Sequence, residues 1–485
     1  MAGWRPEVAE THVSILVMLD DRAHKLKKPV RTAFLDLSTR EAREVMCHRE
    51  VELNRLLAPD VYLGVADVTD TDGRPCDHLV VMRRMPPGSS LSDRISEGGD
   101  ISACIDAVTD RIAAFHREAP RSDVIDRQGT VSALRERWRA NLEETGNYVG
   151  RFLAPERYER VERSAESYLA GRGPLFEARI AAGRIRDCHG DMLADDVYCL
   201  DDGPRILDRL EFDDALRYVD VLDDVACLAM DLERAGGESA AQRLTSRYLE
   251  ATGDDAPSTL LHHFIAYRAF MRAKIACLRA EDGEEAAPAR AARLLEMSES
   301  HLKQGRVRIL MIGGLPGTGK TTCARRIEGM GEWELLRSDV IRKGLLGVGA
   351  TTHLPGAYLS GPYDPATTDD TYRTLLARAE EALGMGRSLV LDATWSREHH
   401  REMARDVARR TRSELFEIRC VLDARDARTR LLRRAREGTD ASDADADIAE
   451  RMAGDFDAWP QALELDTSGS VEELGRSLAE IGGRQ

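Results

Sequence analysis

Two short stretches of the 485-residue chain space their residues for work on phosphate. The first, GLPGTGKT at Gly314–Thr321, fits G-x-x-x-x-G-K-[ST]. It follows the apolar run RILMI and opens the run TTCARRIEGM, the strand–loop–helix context that this spacing requires. Gly314, Gly317 and Gly319 let the backbone N–H groups around Thr318 turn inward on a triphosphate. Lys320 reaches the β and γ phosphates, the Thr321 hydroxyl can ligate Mg2+, and Thr322 completes the nucleotide-binding set. The second stretch, CHGDMLADD at 188–196, sets Asp191 in a His-Gly-Asp turn and Asp196 five residues on.

What the first stretch acts on depends on residues further along. Asp339, in LLRSDVIRK, lies 18 residues beyond Thr321 at the end of a short apolar segment. A carboxylate there can take the proton of a hydroxyl as it attacks the γ-phosphoryl group, although an Asp there can also simply cap a helix. Arg342, one helical turn on, can hold a substrate anion. RSLVLDATW is an apolar strand ending in Asp392, a position from which a carboxylate can organise Mg2+. DARDARTRLLRRAREG carries six arginines between 425 and 436 against one acid, Asp426. A solvated helix normally interleaves both signs, so the excess suggests a lid over phosphates, with Arg430, Arg433 and Arg434 on one face.

The elements that must position these groups fall into two patterns. From 306 onwards strands and helices alternate, as in a mostly parallel α/β sheet. Before that, VSILVML, HKLKKPV and HLVVMRRM read as short strands and TREAREVMCHREVELNRLLA as a helix; from about 100 to 304 helical periodicity dominates, apart from a loop-rich stretch at 186–214. This gives an α+β domain over 1–304 and an α/β domain over 305–485, separated by a long helix, a charged break near Glu281–Pro288 and a second helix. The length asks for two or three domains, and no internal repeat is visible.

The formal charge of −16 is uneven. Residues 305–485 hold 27 basic against 30 acidic side chains, and residues 1–304 hold 42 against 55. Such a surface does not draw in nucleic acid or an anionic membrane. No apolar run approaches the roughly 20 residues that span a bilayer, and the N-terminal stretch lacks the features of a signal peptide. Nine cysteines without a Cys-x-x-Cys pair read as reduced, mostly buried thiols of a cytoplasmic protein. The pairs His262-His263 and His399-His400 have no Cys or Glu at metal-ligand spacing, so no structural metal is expected from them.

At this point the residues resemble known families. GLPGTGKTT, RSDVIRKGL, YDPATTDDTY, VLDATW and RLLRRAREGTDASDAD resemble the small P-loop kinases related to gluconate kinase, chloramphenicol phosphotransferase, the zeta-type toxins and the kinase half of polynucleotide kinase. The resemblance spans 306–460. It implies a five-stranded parallel sheet, ATP and Mg2+, and phosphoryl transfer to a hydroxyl, with Lys320 and Thr321 on phosphate and metal, Asp339 as base, and Arg430 and Arg434 as lid residues.

Residues 10–275 resemble the aminoglycoside-phosphotransferase-like fold, a small relative of protein kinases. The resemblance makes HKLKKPV the strand of the phosphate-binding lysine. Alternation puts Lys25 and Lys27 on one face, and the family pattern favours Lys25. It implies Glu50 as the partner of that lysine, Asp191 as base, Asp208 in ILDRLEF as a Mg2+ ligand, and Glu211 as the family's acid three residues later. The family loop has Asn where this chain has Asp196, so three carboxylates gather at one site and repel ATP unless metal is present; this makes the site altered.

The fused order resembles a family of bacterial two-domain predicted kinases, grouped with AAA-family ATPases. The expectation is a cytoplasmic, ATP-dependent phosphotransferase acting on a small hydroxylated acceptor (antibiotic, sugar or nucleoside-like), with the P-loop half as the main catalyst. Two rivals stand beside it: a nucleotide-binding ATPase or sensor without transfer, and a 5′-polynucleotide kinase. The acidic surface and the 5% aromatic content argue against a long nucleic acid. Arg268, Arg272 and Lys274 on one helix can face a substrate anion or salt-bridge the fold. The sequence leaves the oligomeric state open.

Overall fold

The computed structural model describes residues 7–11, 13–31, 35–349, 352, 359–437 and 446–469. The chain divides into two compact units. The first comprises Met1–Glu162, Phe176–Ala256 and Leu261–Leu302; the second comprises Arg163–Leu175, Pro257–Leu260 and Lys303–Gln485.

The first unit opens with a five-stranded antiparallel sheet, in the order Glu7–Glu10, Ser14–Leu19, Arg22–Lys27, Pro75–Arg83, Tyr62–Thr69. Between its third and fourth strands in sequence runs the helix Arg40–Asn54, started by the Thr39 hydroxyl, which accepts from the Ala42 N–H. Cys47 and Val51 of that helix pack on Ala23, Val80 and Met82. Strand alternation puts Lys25 and Lys27 on the same face as Ala23, which turns two ammonium groups towards Glu50 of the helix.

A helical portion follows. Within it two short ribbons, Ile185–Asp187 with Tyr218–Asp220 and Val197–Leu200 with Gly203–Ile206, frame the CHGDMLADD loop, so the loop-rich stretch is stiffened by strands too short to read from periodicity. The helix Val221–Arg234 beneath them is buried from Val221 to Leu232. The charged break lies between the helices Ser258–Glu281 and Ala287–Gln304.

The second unit is a five-stranded parallel sheet, in the order Trp333–Arg337, Ser388–Asp392, Arg308–Gly313, Glu414–Val421, Leu463–Asp466. Ile309, Met311, Leu389, Val390 and Leu391 are fully buried. A parallel strand covered on both faces reads as a continuous apolar run, as RILMI and SLVLD do. The carboxyl ends of the central strands deliver Gly313 and Asp392 to one rim, where α/β sheets bind ligands. Among the described residues no helix is long and apolar enough to cross a membrane.

One expectation is corrected. Cys104 and Cys199 form a disulfide, although 95 residues separate them. Their pairing depends on the helix Ser102–Glu118 lying beside the ribbon strand Val197–Leu200, which spacing along the chain does not show. Of the remaining seven cysteines, all but Cys76 are buried thiols.

Candidate phosphotransfer sites

The P-loop follows the strand Arg308–Gly313 and ends at the helix Lys320–Glu328. Gly314, Gly317 and Gly319 have φ of 127°, 83° and 88°. A side chain at Gly314 would meet the Cys420 carbonyl oxygen at 2.4 Å, and one at Gly317 the Ala427 carbonyl oxygen at 2.7 Å. Backbone sign and close approach both demand glycine there. Thr318 Oγ1 donates to the Leu315 carbonyl at 2.8 Å, and Lys320 Nζ donates to the same oxygen at 2.9 Å. Thr322 stands beside these groups on the cavity wall.

Thr321 Oγ1 donates to Asp392 Oδ2 at 2.8 Å. Burial pushes the Asp392 carboxyl above the ordinary carboxylate value, against Lys320 and the Thr321 hydrogen bond. A hydroxyl beside a buried carboxylate at the phosphate end is a donor set that suits Mg2+. Arg337, which sequence reasoning did not single out, donates from Nε to Asp392 Oδ2 at 3.2 Å. Its one readable signal is its place at the end of an apolar strand.

Asp339 lies in the first turn of the helix Ser338–Leu345, but the N-cap is Arg337 and no side chain caps the helix; the bland capping role does not hold. Asp339 Oδ1 instead accepts from Arg342 at 2.9 Å, and the Arg342 guanidinium sits over Tyr363. Arg430 donates to the Thr467 carbonyl at 2.7 Å, and Thr467 Oγ1 donates to the Thr318 carbonyl at 2.7 Å. This docks the arginine-rich helix on the P-loop through a residue the sequence did not flag. The Arg434 side chain lies outside the described residues. Lys320, Thr321, Asp339, Arg342, Asp392 and Arg430 all line one cavity of about 670 Å3, within the range of small-molecule sites.

The kinase-like site is differently arranged. Lys25 Nζ bridges Glu50 Oε1 at 2.9 Å and Asp208 Oδ1 at 2.6 Å, while Lys27 Nζ bridges Glu50 Oε2 at 2.7 Å and Glu211 Oε1 at 2.6 Å. Both lysines therefore reach Glu50, and Lys25 is the one that reaches Asp208. Burial works against the Lys25 ammonium, yet Asp208 and Glu50 hold its pKa well above the ordinary lysine value. Lys25 likewise holds Asp208 below the usual range. Asp208 has φ 63°, uncommon outside glycine, and its N–H donates to the Tyr62 hydroxyl at 3.1 Å.

Asp191 pairs with Arg272. Arg268 pairs with Asp223 at 2.7 Å and donates to the Gly190 carbonyl at 2.6 Å, and Lys274 reaches Glu144 at 2.9 Å. The helix thus salt-bridges the fold. Burial, then Asp208 and Asp191, push the Asp196 carboxyl well above its ordinary value. Two acids missed by sequence reasoning hold the loop: Asp224 accepts from the His189 and Gly190 N–H groups at 2.9 and 2.7 Å, and Asp231 accepts from the Ala194 N–H at 2.9 Å. Their signal was available, since VLDDVACLAMD puts carboxylates inside an otherwise apolar helix.

Comparison with known proteins finds matches to part of the chain and to most of it. The AAA domain family model matches residues 309–459. Uncharacterized protein Rv2004c of Mycobacterium tuberculosis is 39% identical over 466 residues, 96% of this chain and 93% of its own. Uncharacterized protein Mb2027c of Mycobacterium bovis gives the same figures. Among solved structures, a sugar kinase from Janibacter is 17% identical over 36% of this chain and 95% of its own, with a TM-score of 0.30. A choline/ethanolamine kinase family protein from Mesorhizobium loti is 15% identical over 62% of this chain and 94% of its own, with a TM-score of 0.37. With an AAA domain over residues 309–459, the chain belongs to the family of these mycobacterial proteins.

Proposed function

We propose that the protein transfers the γ-phosphoryl group of ATP to a hydroxyl of a small molecule, and that the P-loop unit is the catalyst. One observation carries the reading: a single cavity of about 670 Å3 holds Lys320 and Thr321 together with Asp339 and Arg342. Phosphate-binding groups and a base–anion pair in one cavity are what transfer needs and what a bare ATPase does not.

In this reading Lys320 leaves the Leu315 carbonyl for the β and γ phosphates, and Arg430 adds positive charge from the lid. A Mg2+ ion at Thr321 and Asp392 would neutralise phosphate charge when bound. Arg342 holds Asp339 in place. Asp339 takes the proton as the acceptor oxygen bonds to the γ-phosphorus and the bond to the ADP oxygen breaks. The kinase-like unit serves acceptor binding or has lost transfer, because its own charged groups are cross-paired. A cytoplasmic setting, where ATP is supplied, belongs to the same proposal.

The test is mass spectrometry of an antibiotic, sugar, nucleoside and metabolite panel incubated with the protein, ATP and Mg2+. A gain of one phosphate on a small hydroxylated compound is the expected result. ATP turnover that stays flat across the panel would leave a nucleotide-binding ATPase, and label on an oligonucleotide 5′ end would make it a polynucleotide kinase.

A further inference from the structure

Part of the cavity wall carries three groups that the transfer reading does not use. Asp369 comes from the helix Pro365–Gly384, and His399 and His400 from the first turn of the helix Glu398–Arg410. All three line the cavity. His400 Nε2 lies 2.8 Å from Asp369 Oδ1, and His399 Nε2 lies 3.4 Å from the same oxygen. Their ligand atoms all fall within 4.8 Å of one another. We propose that Asp369, His399 and His400 form a site for a divalent transition-metal ion, of the Zn2+, Co2+, Fe2+ or Mn2+ class, open to the cavity.

The distances are hydrogen-bond lengths that a bound metal ion can also accommodate. Metal–nitrogen and metal–oxygen bonds of about 2.0–2.2 Å set ligand-to-ligand edges of roughly 3.0 Å in octahedral and 3.4 Å in tetrahedral geometry. The two measured separations sit close to those edges. Both imidazoles face the same carboxylate oxygen, so the three ligand atoms converge on the cavity wall. His400 is fixed in place: it is buried, and its ring stacks on Tyr372 with centroids 3.8 Å apart and planes 10° apart. Tyr372 is fixed in turn, since its hydroxyl accepts from the Trp395 N–H at 3.0 Å. The adjacent cation, Arg397, has Asp455 and Asp457 each 3.7 Å away, so its charge is compensated.

The donor set also separates this site from the Mg2+ position. Two imidazoles with one carboxylate select borderline transition metals over Mg2+ and Ca2+, which take oxygen. Three protein ligands leave coordination positions for oxygen atoms of a bound molecule. The site stands on its three side chains alone. Its use, to hold a hydroxyl- or carboxylate-bearing acceptor in the cavity that holds Asp339, rests on the transfer reading.

The test is titration of chelator-stripped, full-length protein with Co2+, followed by calorimetry and by d–d absorption. The expected result is one saturable Co2+ per chain, displaced by Zn2+ but not by millimolar Mg2+. His399→Ala and Asp369→Ala should each weaken binding about tenfold or more and abolish the absorption band. The His399 and Asp369 side chains are 61% and 44% exposed, so both variants should fold. Absence of saturable binding, or binding unchanged in both variants, overturns the proposal. ATP affinity with Mg2+ alone, measured on the same stripped samples, separates the two readings: lost metal binding with intact ATP binding sinks only the metal site, and the reverse sinks only the nucleotide site.

Discussion

The two units hold their phosphate-site lysines differently. In the kinase-like unit the groups that would meet a triphosphate and its metal pair with one another: Lys25 with Asp208 and Glu50, Lys27 with Glu50 and Glu211, Asp191 with Arg272. In the P-loop unit Lys320 donates to a backbone carbonyl, and Asp392 accepts from the Thr321 hydroxyl and from Arg337. A phosphate entering the P-loop competes for Lys320 with an uncharged acceptor, the Leu315 carbonyl. A phosphate entering the kinase-like unit meets a Lys25 that Asp208 already holds, in addition to its family partner Glu50. A complete set of family residues can therefore be paired among itself, as Lys25, Asp208 and Glu50 are here.

The largest expected effect lies at Asp339. Asp339→Asn should keep ATP affinity and lose about 10²- to 10⁴-fold in transfer, the usual contribution of a general base. Lys320→Ala should cost about 10²- to 10³-fold in turnover through lost charge on the phosphates, with circular dichroism unchanged. Wild-type turnover in Lys320→Ala would invert the comparison and make the kinase-like unit the engine. Equal loss of nucleotide binding in Asp339→Asn would mark that residue as part of the metal or fold machinery.

A smaller effect belongs to the loop that sets the comparison up. Gly314→Ala puts a side chain 2.4 Å from the Cys420 carbonyl, at φ 127°. The cost should be on the order of 1–3 kcal/mol, seen as a lower urea midpoint and weakened ATP binding. An unchanged midpoint would mean that the loop relaxes freely and is no rigid cradle.

The P-loop unit was the more legible of the two. Its strands RILMI and SLVLD are apolar runs, its motif is contiguous, Asp392 ends one of those strands and Asp339 follows the strand Trp333–Arg337 by two residues, so local pattern and site coincide. What escaped is what non-local packing decides. Arg337 and Thr467 act through Asp392 and Thr318, which other strands bring to them. Asp369 meets the two histidines across 30 residues. Residues 163–175 join the second unit, where Arg172 donates to the Leu383 carbonyl at 2.6 Å. The kinase-like unit gave up its landmarks from sequence, Lys25 with its partner Glu50, Asp191 and Asp208, but not the pairs Lys25–Asp208, Lys27–Glu211 and Asp191–Arg272, because residue types do not reveal every partner a side chain takes.

The smallest effect sharpens the comparison at Asp196. Burial and its acidic neighbours raise this carboxyl in the folded state. An acid raised on folding binds its proton more tightly folded than unfolded. Its stabilising contribution is therefore present below the unfolded value of about 3.9 and is lost as pH climbs through the raised folded value. Asp196→Asn cannot ionise and escapes that loss. Thermal unfolding of wild type and Asp196→Asn should nearly coincide near pH 4 and separate towards pH 8, the variant gaining on the order of 1 kcal/mol. In a Lys320→Ala background, which silences the P-loop, the same substitution should restore ATP binding to the kinase-like unit, since one fewer carboxylate opposes the triphosphate. In that background Asp191→Ala should change nothing when Asp196 is left as it is. Loss of activity in that double variant, or Mg2+-dependent ATP binding that vanishes in Asp196→Asn, would make Asp196 a working metal ligand. The contrast between the units would then be one of regulation, with cross-paired charges that open on demand.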